Sequence, residues 1–309
     1  MPVDPYFTDM FRGLAEATAP AETDEEREAL TEAFFEEFKA ETADWDTTGI
    51  SVEDTAIDGP HGPIPLRTYR PEGTVNGALL WMHGGGFLHG DLDMPEGHVV
   101  SLELARRAGV LVVSVDYRLA GDGVYYPVPI DDVHTAWDWL CGQDLPAGVP
   151  IAIGGASAGG ALALSTALRA RDTDSRPADA LLLAYPFAHF PNPVLSAAMS
   201  AEMAAVPFRF DTDGIEHMVR NYVGRISDVP PDALPGAARL DGLPSTRIVV
   251  SEYDDLRASA ELLERQLSEV GVPVESYLAP GMVHGHLNHA PILAPIEASL
   301  DFFAKALHA

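Results

Sequence analysis

The chain has 309 residues, 47% hydrophobic and 21% charged, enough apolar material to bury a full core in one large domain. With 19 Lys and Arg against 47 Asp and Glu, the formal net charge is -28, which argues against nucleic acid and anionic membrane surfaces as partners, because both draw their affinity from cationic side chains. No apolar run approaches the roughly 20 residues that span a bilayer, no signal-peptide pattern opens the chain at Met1-Pro2-Val3, and the single cysteine, Cys141, fits a reducing, cytoplasmic setting.

Residues 1–48 read as acidic helices. Phe7, Met10, Phe11 and Leu14 recur at helical spacing, as do Leu30, Phe34, Phe35 and Phe38. Thr23-Asp24-Glu25-Glu26 has the form of a capping box opening the second helix. These helices carry aromatic faces with no partner of their own, so they either cover a site or pack on another subunit. From residue 50 the pattern turns to strands. Residues 51–58 and 64–69 flank Gly59-Pro60-His61-Gly62-Pro63 and predict an antiparallel hairpin. Residues 78–82 form an unbroken apolar run suited to a central strand.

Alternation follows: helix 96–108, strand 110–115, helix 131–140, strand 150–153, helix 158–170 and strand 180–185. It resumes with strand 246–251, helix 258–270, strand 274–278 and a last helix over 292–307. Helices alternating with apolar strands predict an α/β fold with a mostly parallel sheet covered on both faces. Prolines at 191, 193, 207, 230, 231 and 235 interrupt this rhythm, with one amphipathic helix near 213–223. Residues 187–236 therefore read as an insertion, leaving a core of 49–186 and 237–309 with residues 1–48 as a second element outside it.

Chemistry concentrates at strand ends. Gly155-Ala156-Ser157-Ala158-Gly159 joins a strand to a helix and fits the Gly-x-Ser-x-Gly nucleophile elbow, although a small-residue turn that lets a helix pack closely would look the same in isolation. A serine needs a base and a group to orient that base. After strand 246–251 come Asp254 and Asp255, the second of which reads as the cap of the next helix. After strand 274–278 comes His284 between glycines, with His286 and His289 as nearby alternatives. His83-Gly84-Gly85-Gly86 follows the strand at 78–82, where the N–H groups of Gly85 and Gly86, with that of Ala158, would form a three-donor oxyanion hole.

Together these segments, with Val115-Asp116-Tyr117-Arg118-Leu119-Ala120, Gly90-Asp91, Leu256-Arg257 and His284-Gly285, resemble the bacterial hormone-sensitive-lipase-like branch of the α/β-hydrolases over residues 50–307. The resemblance implies an eight-stranded sheet, a lid built from the N-terminal helices and the insertion, and a triad of Ser157, Asp254 and His284. It implies a carboxylic-ester hydrolase that needs no cofactor and no metal, acting on a small-molecule ester, with a homodimer through the edge of the last strand as an option. Phe34, Phe38 and His286 are the expected substrate contacts. The same triad acting on an amide, carbamate or lactone is the alternative, and a catalytically silent ligand receptor is a further one that the presence of His284 argues against. The chain departs from the family pattern at Ala156, where Asp is usual, at Gly121-Asp122-Gly123, and at Asp255 and His286.

Overall fold

Four of the strands are buried at every position, which is why they read as unbroken apolar runs. These are β3 (Ala78–Met82), β4 (Leu111–Val115), β5 (Ile151–Ala156) and β6 (Ala180–Ala184). With β1 (Ile50–Ile57), β2 (Ile64–Pro71), β7 (Ser245–Tyr253) and β8 (Val274–Val283) they form one sheet ordered β1-β2-β4-β3-β5-β6-β7-β8. β2 runs antiparallel to β1 and β4, and every other neighbouring pair is parallel. The computed structural model from which this is taken describes residues 2–43, 45–207, 209–289 and 291–307, excepting the side chains of 24, 28, 32, 37–43 and 205.

The two-residue period of a strand sends alternate side chains to opposite layers. Leu80, Met82 and Ile153 pack with α4 (Val128–Cys141), α5 (Ala158–Asp172) and α8 (Arg257–Glu269). Leu79, Trp81 and Ala152 pack with α3 (Pro95–Ala108) and α9 (Ala294–Leu307). On this second face lies α1 (Pro5–Thr18), which buries Phe7, Met10 and Leu14 as its spacing predicts. It is followed by α2 (Asp24–Ala43), whose capping box closes as expected: Glu26 N–H donates to Thr23 Oγ1 at 3.1 Å and Thr23 N–H to Glu26 Oε2 at 3.2 Å.

Between β6 and β7 the chain leaves the layered pattern. It forms α6 (Ala197–Glu202), a helix the sequence does not announce, and α7 (Thr212–Val223). α7 buries Ile215, Met218, Val219 and Tyr222, and the Tyr222 ring stacks on Phe87 with centroids 3.8 Å apart. Because Phe87 follows the glycines after β3, this contact sets the 187–236 segment over the carboxyl ends of the strands. The parallel strands β3, β5, β7 and β8 all end on that edge, so the loops holding His83–Gly86, Ser157, Asp254 and His284 meet there.

Candidate active site

β5 ends at Ala156 and α5 begins at Ala158, so Ser157 alone makes the reversal. Its backbone sits at φ 52, ψ -116, a conformation costly to a residue with a Cβ and held by flanking bonds. The Ser157 N–H donates to Ala184 O at 2.9 Å, and its carbonyl accepts from Phe187 N–H at 3.1 Å. The two glycines flanking it are steric requirements. A Cβ on Gly155 would strike the Gly159 carbonyl, and one on Gly159 would strike the carbonyl oxygens of Met82 and His83. All of these are backbone atoms that cannot yield as a side chain would. Gly159→Ala is therefore expected to cost about 3 kcal/mol or more of stability, read as a lower urea midpoint at unchanged slope. A wild-type midpoint would contradict the packing described.

β7 and β8 are in register from Thr246↔Val274 to Ser251↔Ala279; an irregularity then resets the pairing to Tyr253↔Val283. That shift brings the next residues of the two strands, Asp254 and His284, side by side. His284 Nδ1 lies 2.7 Å from Asp254 Oδ2, and His284 Nε2 lies 2.9 Å from Ser157 Oγ. Asp254 Oδ1 accepts the Leu256 N–H at 2.8 Å, so a carboxylate that can only accept is used at both oxygens. The proton on Nδ1 is thereby fixed, Nε2 is left as an acceptor, and the serine O–H donates to it. Burial pulls the His284 pKa down, but Asp254, with Glu96 and Asp255 behind it, outweighs burial and holds it above the ordinary histidine value.

Across from this chain, Gly85 and Gly86 adopt φ 100 and φ 63, open to glycine far more readily than to other residues. The Gly84 carbonyl accepts from His83 Nδ1–H at 2.8 Å and lies 3.1 Å from the Tyr117 hydroxyl. In a trans peptide the N–H points opposite to the C=O, so this clamp turns the Gly85 N–H the other way. Among the described residues the N–H groups of Gly85 and Gly86 meet no protein acceptor, and Ala158, first in α5, has no intrahelical one. The loop borders the serine closely, since a Cβ on Gly84 would stand 3.1 Å from Ser157 Cβ.

A profile described as the alpha/beta hydrolase fold matches residues 79–288. Esterase LipI of Mycobacterium tuberculosis is 37% identical over 261 residues, spanning 81% of this chain and 79% of the relative. Carboxylesterase NlhH of the same organism is also 37% identical over 261 residues, spanning 80% of this chain and 79% of its own. The chain belongs to the α/β-hydrolases. A solved esterase of Pyrobaculum calidifontis superposes with a TM-score of 0.81 at 30% identity, covering 100% of this chain and 98% of the other. The branch is the hormone-sensitive-lipase-like one, and membership of it makes this hydrolase a carboxylic-ester hydrolase.

Three expectations about the rim of the hydrolase site meet different outcomes. His286 is a correction: it is wholly buried, with Nδ1 3.0 Å from Ser251 Oγ and Nε2 3.3 Å from Ser299 Oγ. Burial pushes its pKa down to about 3, so it is a neutral packing histidine with no ring nitrogen left for a substrate. Phe34 rests against Gly13 of α1 and is not among the residues lining the cavity that Phe210 and Asp255 border. Phe38 lies outside the described side chains.

Asp255 is not the helix cap its position suggests. Its carboxylate takes a bidentate pair from Arg209, closest at 2.7 Å, and the Phe210 N–H at 2.8 Å. It is Asp254 that receives the amide of Leu256 ahead of α8. By holding Arg209, Asp255 draws Phe210 over the histidine, where the two rings meet edge to face with centroids 4.7 Å apart. Arg209, Phe210 and Asp255 are residues that no linear motif marks, and they line a cavity of about 400 Å³ with Phe190, Asn192 and Ile215.

Proposed function

We propose that the hydrolase cleaves short- to medium-chain or small-molecule carboxylic esters through an acyl-enzyme on Ser157. The observation carrying this reading is the unbroken Asp254–His284–Ser157 chain, at 2.7 and 2.9 Å, beside the glycine loop. In the first step Ser157 Oγ attacks the ester carbonyl while His284 Nε2 takes its proton, and Asp254 stabilises the imidazolium that forms. The carbonyl oxygen, now an anion, is received by the N–H groups of Gly85, Gly86 and Ala158, each such donor contributing about 3 kcal/mol in sites of this kind. His284 then gives the proton to the leaving alcohol. Water, activated by the same nitrogen, attacks the acyl carbon and frees Ser157 and the acid. Every proton passes through Nε2, so the imidazole must start neutral.

We read the cavity of about 400 Å³, which reaches Phe210 and Asp255 beside the triad but is lined by neither Ser157 nor His284, as an outer pocket for the substrate; its volume stands near the low end for small-molecule sites. Arg209, the cation on its wall, is committed to Asp255, and the net charge of -28 opposes anionic substrates; both favour neutral esters. A panel of p-nitrophenyl esters tests the reading: acetate to hexanoate are expected to be the best substrates, with kcat/KM falling steeply for dodecanoate and palmitate. A rate that keeps rising with chain length would exclude it.

Residues 187–236 serve as the cap of this pocket, supported by the stacking of Tyr222 on Phe87 and the edge-to-face meeting of Phe210 with His284; residues 1–48 complete it in our reading, supported by the Tyr6 hydroxyl 3.1 Å from Nδ1 of His289, five residues after His284. Among the described residues no helix is long and apolar enough to cross a membrane, and with one cysteine in the chain a cytoplasmic setting is the reading we favour. β8 closes one end of the sheet and leaves Leu278 exposed, which supports a homodimer that pairs this edge with its copy.

A further inference from the structure

One buried carboxylate is absent from the mechanism above. Glu96, in the first turn of α3, is 1% exposed. Its Oε2 accepts the Gly84 N–H at 2.6 Å. Its Oε1 accepts the Tyr185 hydroxyl at 2.5 Å and Asn288 Nδ2–H at 3.1 Å. The Glu96 backbone is tied to the same neighbours, with its N–H 3.3 Å from Asn288 Oδ1 and its carbonyl 2.8 Å from Trp81 Nε1. One side chain thus joins the glycine loop after β3, the end of β6 and the turn that follows His284.

The donor inventory says how this carboxyl is used. The Tyr185 hydroxyl receives the Leu287 N–H at 3.3 Å, so its own hydrogen goes to Glu96. Gly84 and Asn288 offer N–H groups. Three donors converge on two oxygens, an arrangement that suits an acceptor-only carboxylate and leaves a carboxylic proton nowhere to go. Burial holds the Glu96 pKa above the ordinary carboxylate value, with the three donors and His284 offsetting part of the rise. Gly84 is where the consequence lies. Its N–H is consumed by Glu96 and its C=O by His83 Nδ1–H, with the single Tyr117 hydroxyl hydrogen shared between His83 O at 2.9 Å and Gly84 O at 3.1 Å, so Gly84 is held at both of its backbone polar groups just ahead of the Gly85 N–H.

We propose that Glu96 is a positioning residue for ester hydrolysis, which locks the oxyanion loop to the turn carrying His284 and adds a fixed negative charge behind the imidazolium. The inference rests on the triad reading given above. Glu96→Gln preserves shape while replacing one oxygen by an NH2 group that must face a donor. It is expected to lower kcat about 100-fold with KM within about threefold, because the bonds lost orient groups used in the transition state and not in ground-state binding.

The pH profile separates this role from simple packing. The charged groups facing His284 are Asp254 at Nδ1, Asp255 paired with Arg209, and Glu96; Tyr185, Phe210 and neutral His286 complete its surroundings. Activity needs neutral His284 and is lost as pH falls through its pKa. Removing a negative charge lowers that pKa, so the acid limb of kcat/KM is expected to move to lower pH in Glu96→Gln. A residue that merely packs α3 would reduce thermal stability and leave both kcat per active site and the limb where they were.

The experiment measures kcat, KM and the acid limb for wild type and Glu96→Gln, with sites counted by a fluorophosphonate. If Glu96→Gln does not fold, Asn288→Ala decides, since it removes one donor from a half-buried turn; a severalfold fall in kcat at constant KM is expected. Wild-type kcat and an unmoved limb in the folded variant overturn the inference. Failure of the wild type to label at Ser157 would instead overturn the triad reading beneath it.

Discussion

Ser157→Ala is expected to lower kcat by about 10⁵-fold or more with KM little changed, a loss of about 7 kcal/mol of transition-state stabilisation. The hydroxyl is the atom that bonds to the acyl carbon, and its neighbours cannot replace it. His284 Nε2 is aimed at Ser157 Oγ at 2.9 Å and would meet only a methyl group. What survives is the turnover from water held near the glycine loop. Because the three side chains act as a unit, His284→Ala is expected to be almost as slow, and the double variant no slower than either single one. The protein should remain folded throughout, since Ser157 is held in its turn by backbone bonds to Ala184 and Phe187. Steady-state kinetics with thermal unfolding of the same samples checks both halves.

Asp254→Asn is expected to cost about 10⁴-fold in kcat, or about 5 kcal/mol, through the tautomer of His284. Asp254 accepts at both oxygens, from Leu256 N–H at 2.8 Å and from His284 Nδ1–H at 2.7 Å. An asparagine has one oxygen. If that oxygen keeps the Leu256 amide, the NH2 group faces Nδ1 and can donate only to an unprotonated nitrogen, which moves the imidazole proton to Nε2. The serine then faces a donor where it needs an acceptor. If the amide flips, the NH2 group meets the Leu256 N–H and a buried donor is left without an acceptor. In that flipped case the oxygen would still accept the Nδ1–H, but the clash of two buried donors disfavours it, so the first arrangement prevails: geometry survives and the chemistry fails. A loss of less than tenfold would show that Asp254 does not set the tautomer.

These expectations were within reach of the sequence because the elements that make them are local. Gly155 and Gly159 flank Ser157 for a steric reason visible in the pentapeptide, and the apolar runs at β3, β5 and β7 end immediately before loops rich in chemistry. The mostly parallel sheet follows from alternation, whereas its eight strands follow from the family resemblance. What stays hidden depends on long-range contact. Glu96 reads as an ordinary first-turn acid, which a helix N-terminus favours whether exposed or buried. Only the fold brings Gly84, Tyr185 and Asn288 to it. Asp255 reads as a helix cap until Arg209, 46 residues away, takes its carboxylate. His286 sits in a glycine-flanked loop and looks accessible, yet Ser251 and Ser299 satisfy it inside the core. Pro280 and Gly281 look like the end of the last strand, but β8 runs on to Val283 because an edge strand tolerates a proline. α6 escapes notice for a simpler reason: it is six residues long and buries no side chain.

The most direct test of the central claim is covalent. The enzyme is incubated with a fluorophosphonate, which loses fluoride as the attacking oxygen bonds to phosphorus, and its intact mass and peptide map are recorded. One adduct per chain, located on Ser157 and forming more slowly as pH falls through the pKa of His284, is the predicted result. An adduct on another residue, or an unlabelled chain that still hydrolyses esters, would contradict the account.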